Sequence, residues 1–350
     1  MRFHSYMFRL LLFFATGCLL FAACKKNNTA LNYNSDKSKL KALIDSVTAV
    51  YGKAAEGSKP GNYSVGSKAV LNTSLGLASQ VNSGSTFTQE DVDNAIANLR
   101  RSTLDFQSKL IQEVSVANLV AQWKFDGNAN DASGHGYNGQ PKTGWTGSNA
   151  ATAVDGGTLP TLVADRFNRA GMAYDFDKGA HIEVPYNAAL NPQNITLSLW
   201  LRRRTTNSNN YLVSLNRWNG FKFQLQGNNF LFMTFRADNG YHDVDSNPGV
   251  IPQDTWTHAA MSYTNGTMKF YVNGALVKSV AVTGAPLTLA TPINLAIGNQ
   301  LPKSVYTLTS GDFQYGGENF FIGSLDDIRF YNTALTDAEV LSIYTIEKSL

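Results

Sequence analysis

The apolar residues of this chain change their spacing once, near Val116, and that change limits what the chain can fold into. Before it, apolar side chains recur every three or four residues, which gathers them on one face of a helix. After it they alternate with polar ones in short runs between glycine- and asparagine-rich turns, the pattern of antiparallel strands. A chain of 350 residues with one such switch is expected to form two unequal units, a small helical one followed by a larger β-rich one. Charged residues make up only 16%, a balance that suits half-buried strands. A net charge of +3 is too weak and diffuse to neutralise a phosphate backbone, which excludes nucleic acid as a partner.

Arg2 and Arg9 flank the entry to an apolar run from Leu10 to Ala23, too short for a comfortable membrane span but suited to the core of a secretion signal. Both cysteines, Cys18 and Cys24, fall in this segment, so the mature chain is expected to have no internal disulfide. Phe21-Ala22-Ala23-Cys24 followed by Lys25-Lys26-Asn27-Asn28 resembles a bacterial lipoprotein signal, with small residues before the cysteine that receives the lipid. That resemblance implies residues 1–24 as signal and lipobox, lipidation at Cys24, and, from Lys25, passage to the outer membrane, with the surface or periplasmic side left open. An ordinary cleaved signal is the alternative. Residues 25–35 are polar and poor in large apolar groups, as a tether would be.

Three apolar stripes follow. Leu40, Leu43, Ile44, Val47 and Val50 form the first, and Val70, Leu71, Leu75 and Ala78 the second. The third begins at Thr88, which with Asp91 can form a reciprocal cap, and runs through Val92, Ile96, Leu99, Leu110 and Ile111. Helices of this kind bury their stripes against one another in a small bundle. The loop Glu56-Gly57-Ser58-Lys59-Pro60-Gly61-Asn62-Tyr63 and the phrase Thr88-Gln89-Glu90-Asp91-Val92-Asp93-Asn94-Ala95 resemble the FIVAR helical module, assigned here to residues 36–115. The resemblance implies a spacer or accessory interaction unit.

Beyond Val116, strand signals recur at 181–185, 195–202, 211–215, 221–226, 230–235, 257–263, 268–273, 294–297 and 320–331. Asn265-Gly266 and Asn273-Gly274 supply hairpin turns. Many short strands without intervening helices predict a mainly β, two-sheet antiparallel sandwich, closed by a short helix at 336–344. Separated phrases such as Trp123-Lys124-Phe125-Asp126-Gly127-Asn128, Ile195-Thr196-Leu197-Ser198-Leu199-Trp200, Trp256-Thr257-His258, Lys269-Phe270-Tyr271-Val272-Asn273-Gly274 and Phe321-Ile322-Gly323-Ser324-Leu325-Asp326-Asp327 resemble the laminin G-like, concanavalin A-type lectin and glucanase jelly roll, over 117–348. That fold carries lectins, glycosidases, adhesion modules and structural domains alike.

Glycosidase chemistry in this fold needs acid and nucleophile carboxylates on alternate residues of one strand. Glu183, Glu318, Glu339 and Glu347 form no such series, and Asp175 with Asp177 reads as a turn beside Gly179. Gly134-His135-Gly136-Tyr137-Asn138-Gly139 spells a dinucleotide fingerprint but leads to Gln140-Pro141 instead of a helix. His258 reads as a core histidine. The expectation is therefore a non-catalytic chain, with a glycoside hydrolase as the less favoured alternative.

Sugar recognition needs exposed aromatic rings with amide, carboxylate or guanidinium groups alongside. Asn216, Arg217, Trp218, Tyr241 and His242 offer these in two apparent loops, although aromatics there could equally cap the core. Arg202-Arg203-Arg204 would suit an acidic glycan or a solvated strand end. Asp126, Asn128, Asn130 and Asp131 are spaced like the opening of an oxygen-rich calcium loop. In relatives of the resembled fold that loop meets the aspartate of the last strand, which implies a structural calcium ion on Asp126 and Asp326. The competing reading is that these side chains bond only to turn backbone. The chain is thus expected to be a lipid-anchored envelope protein with a polysaccharide- or glycan-binding, lectin-like sandwich. The alternative is a structural or protein-adhesion module on the same anchor.

Overall fold

The computed structural model describes residues 32–146, 154–206, 209–246, 250–305 and 320–349; the signal with Cys24, the tether's first half and Glu318 lie outside them. The three stripes form α1 (Ser38–Lys53), α2 (Ser67–Ser83) and α3 (Gln89–Ser108). Thr88 caps α3 as expected: its hydroxyl accepts from Asp91 N at 3.3 Å while the Asp91 carboxylate accepts from Thr88 N at 2.8 Å. Leu40, Val47, Leu71, Val92, Leu99 and Phe106 share one core. The third helix stops short of Leu110 and Ile111, because the chain there zips onto the glycine-rich loop. Gly61 N donates to Ile111 O and Ile111 N to Asn62 O, both at 2.8 Å.

The sandwich begins with β1 (Leu119–Trp123), β2 (Gln140–Lys142), β3 (Trp145–Thr146), β4 (Val154–Asp155), β5 (Thr161–Val163), β6 (Ala173–Phe176) and β7 (His181–Val184). It continues with β8 (Ile195–Arg203), β9 (Asn209–Leu215), β10 (Phe221–Gln226), β11 (Leu231–Ala237), β12 (Gly240–Asp245) and β13 (Thr257–Thr264). The last strands are β14 (Gly266–Val272), β15 (Ala275–Val282), β16 (Leu295–Ile297) and β17 (Gly323–Tyr331), before α4 (Asp337–Glu347). One sheet runs β15-β14-β13-β8-β17-β6-β5 with β1 added on β17; the other runs β12-β11-β10-β9-β16-β7-β2. Pairing of β1 with β17 brings the first and last strands of the domain together.

Each sheet turns its apolar alternate residues inward. Leu197, Leu199, Leu201, Phe270 and Phe330 of the first meet Phe223, Leu225, Met233 and Phe235 of the second. The sequence patterns missed the short strands β2–β6 and also β12 and β15. The last two are edge strands with one solvated face, so their polar residues blur the alternation. Asp175 was read into a turn but sits in β6, and the turn begins at Asp177, whose carbonyl accepts from Ala180 N at 2.9 Å.

The outward residues of β8, β13 and β17 are polar yet buried, because α4 lies across them. Trp200 Nε1 donates to Glu347 Oε2 at 2.8 Å and Arg329 Nε to Glu347 Oε1 at 2.6 Å. Arg166 reaches in from the loop after β5 to donate to Asp326, to Asp327 and to the Glu347 carbonyl, at 2.7, 2.8 and 2.8 Å. His258 is fully buried among these groups, its Nε2 2.8 Å from Ser198 Oγ and its ring against Trp200 and Tyr344.

Burial, with Arg329 and Arg166 nearby, depresses the His258 imidazole from 6.5 to about 3. Folded protein therefore keeps His258 neutral where the unfolded chain takes up a proton, so stability falls as pH drops from 6.5 towards 3. The His258 contribution to this loss between pH 8 and pH 4.5 is about 2–3 kcal/mol. Urea unfolding at the two pH values is expected to show His258→Gln losing less stability than wild type by that amount. An equal loss in both proteins would mean that His258 is protonated in the folded state.

Candidate functional site

The outer face of the second sheet is set by strand alternation. With Phe221, Phe223, Leu225, Leu231, Met233 and Phe235 in the core, the intervening residues Lys222 and Gln224 of β10 and Phe232, Thr234 and Arg236 of β11 point the other way. Lys222 pairs with Thr234 and Thr234 with Asp243, while Arg236 pairs with Tyr241. Tyr211 lies opposite Gln224 across the β9–β10 pair. Tyr211, Gln224 and Thr234 are buried even though they belong to this outer face, so only part of the face is open to a ligand. Thr234 Oγ1 donates to Asp243 Oδ1 at 2.5 Å, and Lys278 bonds Asp245 at 3.2 Å.

Trp218 and Tyr241 stand at one end of this face, 39% and 52% exposed, so neither caps the core. The turn carrying Trp218 holds Asn216 and Arg217 at φ 55° and 53°. Two consecutive non-glycine residues in the left-handed region cost about 1–2 kcal/mol each, a strain more common at binding sites than elsewhere. Arg217 sits 4.0 Å from the centre of the Trp218 ring and Arg236 4.1 Å from that of Tyr241. Four of the five expected glycan residues, Asn216, Arg217, Trp218 and Tyr241, thus flank one region. His242 does not join them. As the next residue along β12 it faces the other way, against Phe235, with Nε2 2.7 Å from Asn239 Oδ1.

Sequence reasoning missed Lys222. Its ammonium lies 5.4 Å from the Tyr211 ring, 5.4 Å from Phe232 and 5.8 Å from Trp218. The alternation Phe221-Lys222-Phe223-Gln224-Leu225 contained the signal, since a lysine between core phenylalanines must lie on the outer face. The arginine run is structural. Arg203 is buried and donates to Ile251 O at 2.9 Å, Arg204 pairs with Asp175, and Arg202 stacks over Trp256 at 5.3 Å.

The described glutamates of the sandwich are all committed elsewhere. Glu339 belongs to the cap of α4 with Thr336, and Glu347 to the network beneath it. Glu183 is buried, which alone would raise its pKa. Bonds from His181, Asn294 and Lys303 N, at 3.1, 3.1 and 2.9 Å, outweigh that and bring it down to about 2.

The residues expected to hold calcium do not fit an ion in this arrangement. Asp131 accepts from Gln122 N, Ser133 N, Ser133 Oγ and Tyr137 N at 2.9, 2.8, 2.8 and 3.0 Å, so it organises the loop backbone. Asn128 accepts from Asn130 N at 2.8 Å, and Asn128, Asn130 and Asp126 are exposed. Asp326 is buried with Arg166 on one oxygen and Asp327 N, at 2.9 Å, on the other. Asp126 and Asp326 do share a neighbourhood, since both act electrostatically on Arg169, whose Nε donates to Asp165 at 2.7 Å. The positive charge expected from an ion is supplied by Arg166 and Arg169. Among the described residues no group of three or more His, Cys, Asp or Glu is placed to hold a metal.

Residues 176–341 match the family model of the concanavalin A-like lectin/glucanases superfamily, of laminin G type. The match leaves out the three N-terminal helices, and their FIVAR resemblance is not confirmed. Adhesion G-protein coupled receptor V1 of Danio rerio is 25% identical over 162 residues, which are 43% of this chain and 2% of that protein. The chain therefore spans a very small part of that relative. Among solved structures, domain 4 of AbnA, a GH43 extracellular arabinanase from Geobacillus stearothermophilus, in complex with arabinotriose, is 22% identical with a TM-score of 0.47. That similarity covers 65% of this chain and 98% of that one. The binding domain of Paraclostridial Mosquitocidal Protein 1 is 18% identical with a TM-score of 0.47, over 65% of this chain and 52% of that one.

Thermal melting is expected to give the same midpoint with calcium as with a chelator. Arg166→Met is expected to cost about 3–5 kcal/mol, because it strands Asp326 as a buried, unpaired carboxylate. A midpoint several degrees higher in calcium would return the ion to this site.

Proposed function

We propose that this chain uses its concanavalin A-like lectin/glucanase domain, residues 176–341, to bind a polysaccharide at the cell envelope without cleaving it. The observation that carries the reading is the pair of exposed aromatic residues, Trp218 and Tyr241, at one end of the outer face of the second sheet. Exposed rings bind the apolar faces of sugars, and the exposed Asp243 on the same face places a carboxylate there for hydroxyls. The strained Asn216-Arg217 turn presents Trp218, as expected where backbone geometry serves a ligand.

The non-catalytic part of the proposal is supported by the commitments of Glu183, Glu339 and Glu347 to bonds within the protein. Glu183 and Glu339 have no carboxylate among their hydrogen-bond partners, and Glu347, near Asp327, is bonded to Trp200 and Arg329. The lipoprotein-like phrase ending at Cys24 supports lipid anchoring to the outer membrane, with residues 25–35 as tether and α1–α3 as spacer.

Calorimetry with a panel of oligosaccharides is expected to find weak binding, with Trp218→Ala and Tyr241→Ala each weakening it about fivefold for the loss of a ring worth about 1 kcal/mol. Binding unaffected by both changes would move the site elsewhere, and release of reducing ends from any of the sugars would make the protein an enzyme. In cells, Cys24→Ser is expected to shift the protein from the membrane to the soluble fraction. Release by Cys18→Ser instead would move the lipid to that residue.

A further inference from the structure

We infer that the polysaccharide taken by this face is anionic, with carboxylate or sulfate groups read by Lys222 and Arg236. The inference rests on the binding proposed above and deepens it by naming the ligand class. Lys222 is partly buried in the middle of the face, and three aromatic rings, Tyr211, Phe232 and Trp218, surround its ammonium within 5.4–5.8 Å. Neither an ion pair nor a hydrogen bond holds that ammonium among the described residues. Ring faces stabilise a cation without satisfying its N–H donors, which need oxygen acceptors. Burial lowers the Lys222 pKa, opposed by Asp243, so the site holds a desolvated charge whose nearest countercharge lies beyond contact. An anionic group arriving above the ring cluster would supply that contact.

Arg236 repeats the arrangement on the next strand. Its guanidinium carbon lies 4.1 Å from the centre of the Tyr241 ring, with no acceptor for its side-chain N–H groups among the described residues. Contact with a ring does not satisfy the guanidinium N–H donors, whose fork matches an oxyanion. Register puts the two cations close together. Lys222 pairs with Thr234, two residues before Arg236 on the same face of β11. The acidic groups on this face are Asp243, which accepts from Thr234, and Asp245, which pairs with Lys278. Neither bonds to Lys222 or Arg236. A further guanidinium, that of Arg217, stacks on Trp218. The rings of Trp218 and Tyr241 thus carry guanidinium groups over them, which turns a surface suited to neutral sugars into one suited to acidic sugars.

Three probes test this with the full chain lacking its signal: oligogalacturonate, the same oligosaccharide with its carboxyls methyl-esterified, and a sulfated polysaccharide with its unsulfated parent. Binding to the acid is expected to be about tenfold tighter than to the ester, as a charge-assisted contact implies. It is also expected to weaken as salt rises from low to physiological. Lys222→Gln and Arg236→Gln, each checked for an unchanged melting temperature, are expected to remove the preference for acid over ester. Preference for only the carboxylated or only the sulfated probe identifies the anion. Equal affinity for acid and ester, insensitive to salt but lost in Trp218→Ala, would overturn the anionic reading and leave glycan binding standing. Binding of none of the probes or their neutral counterparts would overturn both. Salt dependence in the wild-type protein decides the matter even if a variant fails to fold.

Discussion

The buried ionic network beneath α4 makes the two outer faces of this sandwich unlike. Two sheets packed face to face leave two outer surfaces. On the first sheet that surface is filled by Arg166, Arg329, Asp326, Asp327, Glu347, Trp200 and His258 under the C-terminal helix. Charges this deep tolerate burial only with their partners in place. The space that remains there is a cavity of about 260 Å³ lined by Arg166, Phe167, Trp200, Trp256, Tyr344 and Lys348. Among the described residues no helix of that length lies on the second sheet, and Trp218, Tyr241 and Asp243 of its outer face are exposed.

Arg166 shows why part of this was beyond the sequence. The run Asp165-Arg166-Phe167-Asn168-Arg169 has no hydrophobic period and no motif, yet it places one guanidinium on carboxylates 160 and 161 residues away. The arginines beside the expected calcium residues were hidden for the same reason. The pairing of β1 with β17 was legible in the flanking phrases, and it does bring Asp126 and Asp326 into one neighbourhood. What spacing could not reveal is that a loop between them supplies the positive charge. By contrast, several features whose physics is local agree with the structure. The Thr88–Asp91 cap, the helical stripes and the alternation in β8 needed no knowledge of distant residues.

The candidate face was legible in halves. Trp218 and Tyr241 stand out as aromatics next to asparagine and glycine, a pattern visible in a short window. Lys222 was hidden within a strand whose apolar residues dominated the reading. His242 was drawn in by adjacency, although neighbours along a strand point to opposite faces. The rule that excludes His242 is the one that admits Lys222 and Arg236. Applied to every strand of the second sheet, it separates core from face without reference to structure, but only once β12 is recognised as a strand.

The path of the chain also bears on how such a face would be presented. Gln112, just beyond α3, donates its N–H to Ser342 Oγ of α4 at 2.8 Å. The exit from the helical unit is therefore fastened to the helix that covers the first sheet. β1 enters the domain in that same sheet. With the anchor on the N-terminal side as proposed, the attachment lies on the first-sheet side of the sandwich. The outer face of the second sheet points the opposite way, because the two outer faces of a sandwich are back to back. An extended polymer could then lie along Lys222, Arg236, Trp218 and Tyr241 without meeting the helices. Weak contacts at each molecule would add up along the polymer as neighbouring copies engage it, since linked sites raise the effective concentration for each further contact.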